Sequence, residues 1–245
     1  MTNDDGAASE GIAVLARAAR AQGLEVLVAA PSWDASGSSA AVTAVESDEE
    51  PVCRQVRRPG LDTPALAVEA APAFIVRAAL GGKYGPAPDV VLSGVNHGLN
   101  TGAAIIHSGT VGAALTAGIG GVPAAAFSMD VAAARTGEPV HWDTAAFVAR
   151  SVISWLIEAE GTLVLNVNVP NVPGEALRGL RRGGLAPIGT VRTTVTEEGT
   201  GERLAAAAVR GRPAPEGSDA ALVVSGAASY TPIRPVTEDR DAQIT

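Results

Sequence analysis

The sequence predicts an α/β fold, a mostly parallel sheet covered by alanine-rich helices, and three observations carry that reading. Helical stretches alternate with short apolar runs; the runs open into loops rich in Gly, Ser or Asn; and the apolar content is aliphatic rather than aromatic. Hydrophobic residues make up 47% of the 245 and aromatics 3%, so Ala, Val, Leu and Ile must pack the interior. That composition suits a sheet buried on both faces. The length lies near the upper bound for a single core and predicts one α/β domain with an appendage.

The elements follow in order. Residues 9–22 place Ile12, Leu15, Ala16 and Ala19 at helical spacing, with Gly23 as a stop. Residues 25–30 (EVLVAA) form a short apolar run closed by Pro31, a buried strand opening into the loop 32–39. Residues 72–80 predict a second helix with Pro72 in its first turn, and 89–93 (DVVLS) the next buried strand. A loop then runs from Gly94 to Thr110, ahead of an Ala/Gly-rich helix over 111–119 and a strand over 124–128. Val148, Val152, Trp155, Leu156 and Ala159 share one face of a helix over 143–160, and 163–169 follows as a strand.

Beyond Pro170 and Pro173 the alternation stops. Residues 191–196 and 203–209 flank Glu198-Gly-Thr-Gly, a β-hairpin signal, and 213–217 is a turn-rich linker. We therefore expect an α/β core over 1–170 and a β-rich appendage over 171–245, with the arm at 191–209 available for oligomer contacts.

With 26 acidic against 18 basic residues the formal charge is -8, which leaves no positive field to hold a nucleic-acid polymer. A small phosphate ester remains compatible, because helix N-termini, backbone N–H groups and a bound cation hold phosphate without a basic surface. Cys53 is the only cysteine, which excludes an intramolecular disulfide and a cysteine-rich zinc site and predicts a cytoplasmic protein. No basic-then-apolar leader opens the sequence and no apolar run reaches about 18 residues, so neither secretion nor membrane insertion is signalled.

Four loops carry polar groups suited to chemistry. Asn3-Asp4-Asp5-Gly6 puts two adjacent carboxylates before the first helix, where open α/β sheets bind ligands. Such a pair can offer oxygens to Mg²⁺ or Mn²⁺; it can equally be a solvated turn with a capping Asp. In Ser36-Gly37-Ser38-Ser39 a glycine flanked by hydroxyls lets backbone approach an anion, or forms a plain turn. Ser93-Gly-Val-Asn96-His97-Gly-Leu-Asn100 supplies two amides for a cation and a phosphate oxygen, although Asn and Gly also build ordinary turns. Ser108-Gly109-Thr110 leads straight into a helix, as an anion pocket or a simple N-cap.

His97 and His107 lie within these loops as candidate proton donors, and His141 lies apart from them. The sequence has no Gly-x-x-x-x-Gly-Lys-Ser/Thr, Gly-x-Ser-x-Gly or His-Glu-x-x-His, which excludes P-loop, hydrolase-elbow and zincin chemistry. The loops fall at successive strand ends, which a doubly wound sheet brings to one edge.

Thr2-Asn-Asp-Asp-Gly6, the Ala-Pro and Ser-Gly within 29–37, the 93–100 segment and His107-Ser-Gly-Thr-Val111 together resemble the SurE family in order and spacing. The likeness continues through Val122-Pro-Ala-Ala-Ala-Phe-Ser128 and Leu165-Asn-Val-Asn-Val-Pro170, and more weakly through Ser218-Asp219 and Ser229-Tyr-Thr-Pro232. The resemblance implies a Rossmann-like core with a β-hairpin appendage, assembled as a homodimer or homotetramer. It implies a divalent-metal-dependent phosphatase acting on nucleoside monophosphates, with metal on Asp4, Asp5, Ser36 and Asn96. It further implies phosphate near Asn100, Ser108, Gly109 and Thr110, and our reading adds His107 as a catalytic proton donor beside Asp4 and Asp5.

Three stretches depart from the family pattern. Where the family has an apolar strand before Asn-Asp-Asp, only Met1 and Thr2 precede Asn3, so the acidic loop is expected to lose its anchoring strand. Ala70-Ala-Pro-Ala-Phe-Ile75 stands in place of Gly-Thr-Pro-x-Asp-Cys, and Val224-Ser225 in place of an acidic pair. The alternative these changes leave open is a nucleotide- or phosphometabolite-binding protein that has kept the fold and lost catalysis.

Overall fold

The structure, a computed structural model, describes residues 1–44, 53–57, 61, 65–131, 137–187, 191–198, 201–208 and 214–238. Its helices begin where the local chemistry allows. Helix α1 (Glu10–Ala21) is capped by Ser9, whose hydroxyl accepts from the Ile12 N–H, and Glu10 sits at its positive end. Helix α2 (Pro72–Leu80) opens on a proline, whose missing N–H costs nothing at that position. Ser108 caps α3 (Gly109–Ile119), and α4 (Trp142–Glu158) is the longest helix described.

The strands are β1 (Val28–Pro31), β2 (Cys53–Val56), β3 (Ala65–Val68), β4 (Val91–Asn96), β5 (Ala124–Met129) and β6 (Val164–Val169). After them come β7 (Leu180–Arg182), the hairpin strands β8 (Val191–Glu198) and β9 (Gly201–Ala208), a short helix α5 (Asp219–Val224) and β10 (Ala228–Pro232). They form a three-stranded sheet β1-β3-β2, a five-stranded sheet β4-β5-β6-β10-β7, and the two-stranded β8-β9. β1 with β3, β4 with β5, β5 with β6, and β10 with β7 run parallel.

Residues 1–3 join the first two sheets. The Ala29 N–H donates to the Met1 carbonyl at 2.9 Å, the Thr2 N–H to the Leu92 carbonyl at 3.0 Å, and the Gly94 N–H to the Thr2 carbonyl at 2.9 Å. The acidic loop therefore keeps an anchor, contrary to the expectation from the short start. Below Met1 the two halves part around a cavity of about 410 Å³ lined by Met1, Leu24, Leu27, Val90 and Leu92 among others. β1 starts at Val28 and not at residue 25, its pairing with β3 beginning at Val28 opposite Ala65.

The period of two along the strands builds two cores. Leu92, Ala125, Phe127 and Leu165 meet Ile12, Leu15, Val148 and Val152 from α1 and α4 on one face. Val91, Ala124, Ala126 and Val164 meet Val76, Val111 and Ala114 from α2 and α3 on the other. The result is the expected Rossmann-like three-layer arrangement. Two features differ from the sequence reading. β2 and β3 went unforeseen, being four residues each, and β2 is largely exposed. The chain beyond 170 is not a separate appendage, since β10 inserts between β6 and β7, antiparallel to β6. The hairpin forms with Val191 opposite Ala208 and Glu198 opposite Gly201, its turn lying outside the described residues.

Small residues let α1 approach the sheet closely. A Cβ on Gly11 would stand 1.9 Å from the Val95 carbonyl oxygen, and backbone cannot swing aside as a side chain can. Gly11→Ala is expected to cost about 3 kcal/mol, the upper part of the range for overpacking. Gly174→Ala, with nothing within 4 Å of the added carbon, is expected to stay within about 0.5 kcal/mol. Midpoints of chemical denaturation check the pair.

Candidate functional site

The loops after residue 3, β1 and β4 and the start of α3 meet at the carboxyl edge of the parallel strands. Asn3 shapes the first loop, its side-chain amide donating to the Gly6 carbonyl at 3.1 Å and to the Ser9 hydroxyl at 2.6 Å. Asp4, 3% exposed, accepts from the Thr110 N–H at 3.0 Å and, through a short bond, from the Thr110 hydroxyl. The Asp4 carbonyl accepts from the Ala35 N–H at 2.7 Å, which ties in the loop after β1. Asp5 accepts from the His97 N–H, while its Oδ2 is buried without a hydrogen-bond partner.

Both carboxyls are pushed up. Burial raises Asp5 to about 7, assisted by the charges of Asp4 and Asp34. Burial is also the chief cause at Asp4, where the Thr110 bonds pull the other way. Gly109 must be glycine for a steric reason, because an added Cβ would stand 2.6 Å from Ser38 Oγ and 3.0 Å from Asp4 Oδ2. The Ser38 hydroxyl is itself buried and unpartnered.

Other sequence-selected residues are placed differently. Asn96, ending β4, donates its amide N–H to the Gly98 carbonyl at 2.7 Å, a bond that does not involve its Oδ1. Ser36 is exposed, and its N–H and hydroxyl donate to Asp34 Oδ1 at 3.0 and 2.6 Å and not to either carboxylate of the acidic pair. Asn100 is held as scaffold: its amide donates to Ser128 Oγ, its N–H to Asn168 Oδ1, and its carbonyl accepts from Asn166 and Asn168, all at 2.8 Å. Ser108 accepts from the Val111 N–H as N-cap, so its hydroxyl serves the helix. His107 is exposed at the end of a 3-10 turn (Gly102–His107), and its carbonyl accepts from the Ser39 N–H. His97 is exposed, with its ring 5.3 Å from that of Trp142.

Sequence reasoning passed over Asp34, and it read Ser128, Asn166, Asn168 and Asp219 only as parts of family motifs, with no role assigned to them. For the asparagines a signal existed: two amides at i and i+2 inside a fully buried strand must find partners. Asp219, with no exposure, accepts from the N–H groups of Gly102, Ala186 and Ala220 at 2.8 to 3.0 Å and so steadies the loop after β4 from far along the chain.

The donor set fits a hard divalent cation. Asp4 is buried and Asp5 half-buried with one orphaned oxygen, no Lys or Arg pairs with them among the described residues, and the charge of Asp34 adds to theirs. Among the described residues no group of three or more His, Cys, Asp and Glu side chains could hold a metal, so a softer, histidine-rich centre does not fit.

Fold and site together define a Rossmann-like α/β protein with an adjacent pair of carboxylates held against a helix start at the carboxyl edge of its sheet. The family model described as survival protein SurE matches residues 1–194. The chain is 39% identical over 184 residues to the 5'-nucleotidase SurE of Nitrosococcus oceani, a match spanning 71% of this chain and 64% of that protein. It is 40% identical over 184 residues to the 5'-nucleotidase SurE of Symbiobacterium thermophilum, spanning 74% and 69%. The crystal structure of the SurE protein from Aquifex aeolicus superposes with a TM-score of 0.73 at 31% identity, covering 95% of this chain and 91% of that one. The chain belongs to the SurE family.

The raised Asp5 carboxyl has a consequence for stability. The folded protein holds this proton up to about pH 7, whereas the unfolded chain releases it near 3.8, so between those values the folded state binds more protons. The contribution is complete at the acid end and lost as pH rises through 7. In EDTA, the melting temperature of the wild type is expected to fall from pH 5 to 8 more steeply than that of Asp5→Asn, whose amide does not titrate. Parallel slopes would show that Asp5 is not buried as described.

Proposed function

We propose that this protein hydrolyses the phosphate monoester of nucleoside monophosphates, or of a related phosphorylated metabolite, with a divalent cation held by Asp4, Asp5, Ser36 and Asn96. The single observation that carries the reading is the adjacent Asp4–Asp5 pair, Asp4 buried against the first turn of α3 and Asp5 with a buried, orphaned oxygen. The names of the SurE relatives support the same activity.

When bound, the cation, Mg²⁺ or Mn²⁺, offsets the charge of the carboxylates and of the phosphoryl group. The protein's own groups do the rest. Thr110 fixes the Asp4 carboxylate, and the Gly98 carbonyl engages the Asn96 amide N–H, which leaves the amide oxygen to serve as a ligand. The bare Cα of Gly109 lets Asp4 and Ser38 pack against the start of α3, where Ser108, Gly109 and Thr110 offer a phosphate the positive end of the helix dipole. Asn100, held from behind by Asn166, Asn168 and Ser128, borders the phosphate position. Water adds to phosphorus and releases a proton to solvent as the P–O ester bond breaks, and His107 gives a proton to the departing alkoxide and regains one from solvent.

The rival reading, a nucleotide-binding protein without turnover, draws on one observation. The cap of α2 is Ala71, which makes no side-chain bond where the family pattern carries a hydroxyl. A cytoplasmic setting fits the exposed free thiol of Cys53, and the β8–β9 hairpin is our choice for the arm of a homodimer or homotetramer. Among the described residues, no helix is long and apolar enough to cross a membrane.

Phosphate release from a panel of nucleoside monophosphates, with and without Mn²⁺ or Mg²⁺, tests the proposal. Metal-dependent release is expected, reduced about a thousandfold in Asp5→Asn. Tight mononucleotide binding with no release under any metal would favour the non-catalytic reading. His107→Ala is expected to lower kcat about a hundredfold; an unchanged kcat would remove His107 from the mechanism.

A further inference from the structure

The loop after β1 contains an acidic residue that neither motif nor composition singles out. Its path is fixed at two points, with the Ala35 N–H on the Asp4 carbonyl at 2.7 Å and the Ser38 N–H on the Ala35 carbonyl at 3.1 Å. Between these points one carboxylate oxygen, Asp34 Oδ1, takes both the N–H of Ser36 at 3.0 Å and its hydroxyl at 2.6 Å. A serine hydroxyl has one proton and two lone pairs. With the proton committed to Asp34, the rotor is set and the lone pairs are left for another partner. The loop is tied directly to Asp4 through Ala35, and the charge of Asp34, although exposed, is felt at both Asp4 and Asp5.

We propose that Asp34 is a positioning residue that locks the Ser36 hydroxyl with its lone pairs toward the cation site, and thereby sets metal affinity. The role rests on the cation site read above, and it is of the outer-shell kind, in which the partner of a ligand orients it. It explains why Ser36 has no direct contact with Asp4 or Asp5: its hydroxyl proton is already spent, and what remains is an acceptor, which two carboxylates cannot use and a cation can.

The test is Mn²⁺ binding to the full-length protein by titration calorimetry at about physiological salt, where screening weakens the effect of an exposed charge. The variants are Asp34→Ala, Asp34→Asn, Ser36→Ala and the Asp34→Ala/Ser36→Ala double. Asp34→Ala is expected to weaken binding about tenfold. Asp34→Asn is expected to stay within about threefold, because the amide oxygen accepts the same two bonds and a screened surface charge contributes little. The double variant is expected to bind no more weakly than Ser36→Ala, since both changes remove one unit.

Wild-type affinity in Asp34→Ala would overturn the role. So would equal losses in the Asn and Ala variants, which would mean that the charge acts directly on the cation, or additive losses in the double. Failure of the wild type to bind Mn²⁺, or an unchanged Ser36→Ala, would overturn the cation site itself and the positioning role with it, so the two failures are distinguishable. Circular dichroism melts verify folding, and Asp34, being exposed, is expected to tolerate both changes.

Discussion

The contact between Asp4 and Thr110 is the constraint on which the rest of the site depends. A buried carboxylate receives both the N–H and the hydroxyl of the first turn of α3, across 106 positions of sequence. That contact holds the acidic loop against the helix start, and the Asp4 carbonyl then fixes the loop after β1 through Ala35. Three loops are thus registered to one another through a single residue. The lack of a side chain at Gly109 follows from the same closeness, since Asp4 and Ser38 occupy the space a Cβ would need.

Such an arrangement is unfavourable for stability taken alone. Burying two neighbouring carboxylates raises both pKa values, and the Thr110 bonds only partly counter this at Asp4. A fold keeps groups in this condition where a ligand relieves it, and a hard cation relieves both the desolvation and the mutual repulsion. The apolar frame carries the cost: Phe127, Leu165 and Val95 on the α1/α4 side and Val111 and Ala113 on the α2/α3 side are essentially excluded from water.

Behind the first layer of polar groups lies another that gives the pocket its rigidity. Asn166 and Asn168 project from one face of β6 and grip the backbone of Asn100, while Asp219 at the start of α5 collects N–H groups from Gly102, Ala186 and its own helix. The segment after residue 170 is therefore part of the machinery that shapes the pocket. Because β10 lies against β6, and α5 packs beside β10, the last third of the chain supports the loop after β4 from below.

The sequence by itself determined the alternation of helices and strands, the caps, and the loops that carry polar groups. These are local matters: Ser9 and Ser108 cap because their hydroxyls meet N–H groups three residues on, and apolar period decides which faces are buried. The Asp4, Asp5 and Asn96 loops could be named for the same reason, since each lies at the end of an apolar run or the start of a helix. Only the tertiary structure decided that Thr110 would bind Asp4, that Asn100 would be held from β6, and that β10 would return to the core sheet. Those pairings join residues dozens of positions apart, and no local preference selects a partner at that distance; the selection comes from the packing of the layers, which leaves each buried polar atom few neighbours to satisfy it.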